Sequence, residues 1–211
     1  MCTPLNTFIF DIDDTLINSQ KANLETWKKT FEDYHINYDL KQLKSINGIP
    51  ILDALNYLKF SGNHSDFLQK WIDNYNQFKN QLNFFPGIIK MLNELKKNNM
   101  QIGIVTSRDQ EEYERYIARF HLEKYASCIV LSEDTQKHKP YPDPIEYYLG
   151  KTKAKSQNSI YIGDMPTDIE SAHAAHIKAG LVTWNGKNIF DKEADYIFKT
   201  PIDVTVLNNI R

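Results

Sequence analysis

The chain has 211 residues, enough for one large domain or for a core domain carrying a smaller insert. Its hydrophobic share of 41% and charged share of 25% are ordinary for a globular protein with a real core. A formal charge of -2 leaves no electrostatic footprint for nucleic acid or an anionic membrane, and no apolar run nears the ~20 residues of a bilayer span.

The N-terminus, MCTPLNTFIFD, has no basic segment followed by a long apolar run, so a cytoplasmic chain is expected. The two cysteines, Cys2 and Cys128, form no disulfide framework.

The first element is the apolar run TFIFD, read as a buried strand ending in Asp11. Residues 16–83 differ from the rest. They show helical periodicity rich in aromatics, including Trp27, Phe31, Phe67, Trp71 and Tyr75, and no buried-strand run. A helical insert of four or five helices is expected there, with residues 1–15 and 84–211 forming the core. The break Asn47-Gly48-Ile49-Pro50 reads as a loop inside the insert.

Phe85-Pro86-Gly87 opens a helical stretch, IIKMLNELKKNN, followed by the strand QIGIVTS and the amphipathic helix DQEEYERYIARF. The strand SCIVLS and the helix DPIEYYLGKT come next. SIYIGD, PTDIESAHAAHIKA and AGLVTW repeat the strand–helix–strand order, before a short strand ADYIF and a helical turn near residues 202–209. Strands separated by helices imply βαβ units, hence an α/β fold with a doubly wound parallel sheet. In such sheets the ligand crevice lies beyond the carboxyl ends of the strands.

Those ends carry polar residues. The first presents Asp11, Asp13 and Thr15, and the second Thr106-Ser107-Arg108. His138-Lys139-Pro140 follows the third, and Gly163-Asp164 closes the fourth with Asp168 four residues on. Asp11, Asp13, Asp164 and Asp168 set four carboxylates against the one ammonium of Lys139. The excess of about three negative charges calls for a hard divalent cation such as Mg²⁺.

Each cluster also has a plain structural reading. Aspartates after a strand often cap turns, Asp168 suits the first turn of a helix opened by Pro166, and Lys139-Pro140 alone reads as a surface loop. His173 and His176 lack the four-residue spacing of a zinc-protease helix, so packing or exposure suits them better. His138 reads as a solvated loop residue. Arg108 either contacts an anion or pairs with a neighbour.

In order and at fitting spacings, DIDDT, the strand ending in Thr106, Lys139-Pro140 and GDMPTD resemble the four motifs of the haloacid-dehalogenase-like hydrolases. The run SAHAAHIKAGLVTWNG resembles the phosphatases of that family. The resemblance implies Asp11 as nucleophile forming an aspartyl-phosphate, and Asp13 as general acid and then base. It implies Thr106 and Lys139 on the phosphoryl group, with Thr15 orienting Asp13 and Ser107 near the substrate. Mg²⁺ would be held by Asp11, the Asp13 carbonyl and Asp164, with Asp168 helping directly or through water.

Asp14 stands where the family often has glycine. A carboxylate at Asp13 argues for phosphoryl transfer over dehalogenation. The helical insert resembles the small cap of the phosphoglycolate phosphatase and β-phosphoglucomutase branch, which closes over the crevice and excludes water. Its specificity loop would be matched by Asn47, Gly48 and Ile49. Ile49, Pro50 and Ile51 offer no charge for a distal phosphate, which argues against a mutase.

The expected activity is therefore Mg²⁺-dependent hydrolysis of a phosphate monoester on a small metabolite. Its rivals are a sugar-phosphate mutase and a non-catalytic protein that binds a phosphorylated ligand. No nucleic acid or membrane partner is expected, and the chain would be a monomer or a weak homodimer.

Overall fold

The computed structural model describes residues 4–46, 51–186 and 193–207. They fall into two units, residues 1–17 with 84–211, and residues 18–83.

In chain order, the first unit begins with β1 (Thr7–Phe10), and two short paired strands follow, β2 (Ile17–Asn18) and β3 (Asn83–Phe84). Between them lie the helices of the second unit: α1 (Gln20–Asp33), α2 (Leu40–Ile46), α3 (Ile51–Tyr57) and α4 (His64–Phe78). The first unit resumes with α5 (Ile88–Lys97), β4 (Gln101–Val105), α6 (Gln110–Glu112), β5 (Cys128–Val130), α7 (Asp143–Thr152) and β6 (Ser159–Gly163). It closes with α8 (Pro166–Ala174), β7 (Lys178–Val182), β8 (Tyr196–Phe198) and α9 (Pro201–Thr205).

Six strands form one parallel sheet in the order β5-β4-β1-β6-β7-β8. Strand β1 is central: Phe10 lies opposite Ile104 on one side and Ile162 on the other. All four of its residues are buried, as a strand flanked by neighbours and covered on both faces requires. Side chains alternate across a sheet. Ile9, Val105, Val130, Tyr161 and Leu181 share one face with Ile145 and Tyr148 of α7 and Ile169 and Ala172 of α8. Phe8, Phe10, Ile102 and Ile104 then point to the other face, where α5 packs on β4 and α9 packs on α5.

Two helical expectations were modified. The stretch after Asp109 is one α turn (α6), a π turn over Tyr113–Ile117 and a 3₁₀ turn over Ala118–Phe120. The wider π turn accompanies two consecutive buried residues, Tyr116 and Ile117, which a regular amphipathic stripe would separate. The C-terminal turn is short, since α9 ends at Thr205.

In the second unit α1 packs against α4. Trp27, Phe31, Phe67, Trp71 and Tyr75 are buried among one another, and Trp71 stacks on Tyr75 at 4.9 Å. The aromatics at helical spacing are thus largely core. Inside this core the Asn74 amide donates to Thr30 Oγ1 (3.0 Å) and Asp33 Oδ2 (2.9 Å), so its polar end is satisfied. No helix among the described residues is long and apolar enough to cross a membrane.

Candidate active site

The chain leaves β1 through a tight turn. Asp11 N–H still donates to Ile162 O (2.9 Å), while Leu16 and Ile17 both donate to Ile12 O (2.9 Å each). Closing the turn puts Asp14 at φ 56°, in the left-handed region. Glycine reaches that region without steric cost, and Asp or Asn tolerates it best among the rest. This explains why glycine and aspartate alternate at this position in the family the motifs resemble. Asp11 is 6% exposed at the base of the turn, and Asp13 lies nearer solvent.

Lys139 is the central cation. Its Nζ donates to Asp11 Oδ1 (2.9 Å), Asp168 Oδ1 (2.8 Å) and the Tyr161 hydroxyl (3.1 Å). These three partners take up the three N–H bonds of an ammonium. Tyr161 projects from β6 and donates onward to Val105 O at the end of β4 (2.9 Å), so Lys139 stands on a hydroxyl anchored in the sheet. The turn carrying Lys139 is tied down where Ser171 Oγ on α8 donates to Tyr141 O (2.8 Å).

Asp168 owes its place to α8. Pro166 opens the helix, and the carboxylate at the third position turns back to cap it. Oδ2 accepts from Asp164 N (3.0 Å) and Met165 N (2.9 Å). A Cβ on Gly163 would sit 2.2 Å from that oxygen. Glycine before Asp164 is therefore what lets the carboxylate lie against the backbone. Asp164 Oδ2 accepts from the Asn185 amide (3.2 Å), which also donates to Asp14 O (3.0 Å). Beside it the Trp184 indole donates to Thr15 O (2.9 Å), so the end of β7 braces both the β1 turn and Asp164.

One carboxylate oxygen from each of Asp11, Asp164 and Asp168 can be chosen so that all lie within 4.8 Å of one another, and all three residues are buried. Burial, together with the neighbouring charges of Asp168 and Asp13, pushes the Asp11 carboxyl up to about 7, against the pull of Lys139. Burial works against the Lys139 ammonium, but Asp11 and Asp168 outweigh it and hold its pKa well above the ordinary lysine value.

Arg108 changes the charge count expected from sequence. Its Nε donates to Asp13 Oδ2 (2.7 Å) and its Nη2 to Asp13 Oδ1 (2.8 Å), a bidentate fork. Of the two sequence readings of Arg108, the neighbour pair is the one seen. With Asp13 matched by Arg108 and one buried carboxylate matched by Lys139, two negative charges remain among Asp11, Asp164 and Asp168. A hard divalent cation fits that oxygen-only donor set and that charge.

Thr106 is buried at the end of β4, and its Oγ1 accepts from Arg108 N (3.3 Å). Ser107 is exposed. Thr15 is buried, and its hydroxyl has no hydrogen-bond partner among the described residues, so the orienting contact on Asp13 is made by Arg108. The loop residues Asn47, Gly48 and Ile49, and Cys2, lie outside the described residues. His138 is exposed. His173 pairs with Asp195 (3.1 Å), which also binds Lys178, at the opposite end of the strands from Asp11.

Tyr161, Asn185 and the pairing role of Arg108 are the features that reading the sequence did not assign. A tyrosine in an otherwise aliphatic buried strand was a usable signal, because its hydroxyl must find a partner.

A family model described as haloacid dehalogenase-like hydrolase matches residues 8–182. A pyrophosphatase PpaX from Oceanobacillus iheyensis is 25% identical over 208 residues, covering 96% of each chain. Among solved structures, a Lactobacillus plantarum protein provisionally described as a phosphoglycolate phosphatase superposes with a TM-score of 0.86 at 26% identity. That match covers 96% of this chain and 98% of the other. A Thermotoga maritima protein provisionally described as a β-phosphoglucomutase gives 0.80 at 20% identity, covering 98% and 100%, a likeness of fold.

Proposed function

We propose that this chain, which belongs to the haloacid dehalogenase-like hydrolases, is a Mg²⁺-dependent phosphatase acting on a small phosphorylated metabolite. The observation that carries the reading is the ammonium of Lys139 held between Asp11 and Asp168 at the strand ends, beside Thr106 and Asp164.

In this reading an Asp11 oxygen attacks phosphorus, forming an aspartyl-phosphate as the bond to the leaving oxygen breaks. Asp13 gives its proton to that oxygen, then takes one from the water that cleaves the acyl phosphate. The Thr106 hydroxyl and Lys139 hold the phosphoryl oxygens. Asp11, Asp164 and the Asp13 carbonyl would hold the cation. Asp168, with Oδ1 on Lys139 and Oδ2 on two amides, supports them from outside. When bound, Mg²⁺ would favour ionised Asp11 and offset charge on the transferring group. The second unit, residues 18–83, would serve as the cap that selects the leaving group.

Candidate substrates include pyrophosphate and phosphoglycolate, because relatives bear those names. The mutase alternative rests on a likeness of fold alone. The test is inorganic phosphate release from these two compounds, several sugar phosphates and p-nitrophenyl phosphate, with Mg²⁺ and with chelator, beside Asp11→Asn. Release that needs both Mg²⁺ and Asp11 supports the reading. Phosphoryl exchange between sugar phosphates without net release would replace it with a mutase.

A further inference from the structure

The Arg108–Asp13 fork is built more firmly than a chance surface pair. The Arg108 side chain is 10% exposed, and its two donors meet both oxygens of one carboxylate at 2.7 and 2.8 Å. Behind it stands Glu112, whose Oε1 is 3.9 Å from Nη1. Glu112 is itself fixed by a capping box: its amide donates to Asp109 Oδ1 (2.7 Å), and its carboxylate accepts from Asp109 N (3.4 Å). The Tyr116 ring lies under the guanidinium, 5.8 Å from Cζ to the ring centroid. Arg108 N–H meanwhile donates to Thr106 Oγ1, and Ser132 N–H to Arg108 O (3.0 Å), so the backbone at Arg108 is held as well.

A guanidinium fixed on its back and sides transmits that order to whatever it holds in front. Here that is Asp13. Each carboxylate oxygen has two lone-pair sites, and the fork uses one on each, leaving the others to carry a proton.

We propose that Arg108 is a positioning residue for proton transfer, setting the plane of the Asp13 carboxyl so that its free face meets the leaving oxygen and, later, the hydrolytic water. The inference rests on the phosphatase reading above. It adds a line of residues, Asp109–Glu112–Arg108, that acts through Asp13 and not on the phosphoryl group. The chemical step is unchanged: the proton passes from Asp13 to the leaving oxygen as the P–O bond breaks, and returns from water as that oxygen bonds phosphorus.

The test exploits leaving groups. Expulsion of an alkoxide needs a proton, whereas p-nitrophenolate leaves with little help. kcat/KM, which reports the first phosphoryl transfer, is measured for phosphoglycolate and p-nitrophenyl phosphate in wild type, Arg108→Gln, Arg108→Lys, Asp13→Asn and the Asp13→Asn/Arg108→Gln double variant. Arg108→Gln should lower the phosphoglycolate value about 10- to 100-fold and the aryl value about threefold or less, since acid catalysis of this kind supplies ~10²–10⁴. Arg108→Lys, which keeps the charge but loses the fork, should fall between. In the Asp13→Asn background the selective loss should vanish, because Arg108 then has no acid to position.

Equal losses on both esters would mean that Arg108 binds the shared phosphoryl group, and would overturn the proposal. So would a selective loss that persists without Asp13. Wild-type inactivity on both esters would sink the phosphatase reading itself, an outcome distinct from either. The lysine variant retains a cation opposite Asp13 and Glu112, so the comparison survives if the glutamine variant misfolds.

Discussion

Asp11→Asn should stabilise the metal-free protein above neutral pH while abolishing turnover. In the folded chain burial raises the Asp11 carboxyl from its ordinary 3.8 to about 7, with Asp168 and Asp13 adding to the effect and Lys139 opposing it. A raised carboxyl binds its proton more tightly folded than unfolded. Between about pH 4 and pH 7 the folded state therefore carries more protons, and stability falls as pH rises through that window. The gap between 3.8 and about 7 corresponds to about 4 kcal/mol. Asparagine resembles the protonated acid in shape and charge, and Lys139 keeps Asp168 and Tyr161 when Asp11 is gone.

Urea unfolding in chelator at pH 8 should place the Asp11→Asn midpoint about 2 M above wild type, taking a slope of about 2 kcal/mol/M. At pH 4 the two midpoints should nearly coincide. Mg²⁺ at ~100 times its dissociation constant should add about 2.7 kcal/mol to wild type and much less to the variant. A variant no more stable than wild type at pH 8, or a gap of the same size at pH 4, would refute the reasoning.

Gly163→Ala should push Asp168 off its two amides, because the new Cβ meets Oδ2 at 2.2 Å. With charge-assisted bonds lost at Asp164, Met165 and Lys139, stability should fall by about 3 kcal/mol in denaturant titration and phosphate release by ~10²-fold or more. A variant of wild-type stability and rate would show that the α8 cap is dispensable. Tyr161→Phe deletes the hydroxyl between Lys139 and Val105 O while keeping the ring. It should cost about 1–2 kcal/mol of stability and lower kcat several-fold with little change in KM. A changed KM with unchanged kcat would contradict its placement under Lys139.

The strand ends were readable because the residues that make them are local. TFIF, QIGIV, CIV and SIYIG are short apolar runs separated by helical patterns, and each marks its own end. Thr106, Asp164 and Asp11 needed only a parallel sheet to bring them together. What sequence concealed depends on directions between elements. Tyr161 lies opposite Ile9, and its reach across β1 to Val105 follows from that register, which no single strand declares. Asn185 looks like a residue of a turn until β7 is placed beside β6. Arg108 left two partners open, because choosing between an anion and Asp13 requires the angle at which the chain leaves β4. Counting one cation where two face the carboxylates overstated the negative charge by that same unknown.

The two cations divide the acidic strand end unevenly, and the division bears on the chemistry. Asp13 receives both arms of a guanidinium, whereas Asp11 shares a single ammonium with Asp168. Asp13, nearer solvent, could be satisfied by water. Asp11, nearly sealed from solvent, could not, and it is left the less comfortable charge. The sheet can tolerate this because β1 is flanked by strands on both sides and buried through all four residues, so a local cost at its end does not loosen the strand. A poorly solvated carboxylate is also a better nucleophile than one wrapped in donors, provided a cation arrives to keep it ionised. Discomfort at Asp11 and reactivity at Asp11 are then one property of the site. Any substitution that relieves the first should forfeit the second, which is why the most stabilising change predicted for the metal-free chain is also the one that ends catalysis.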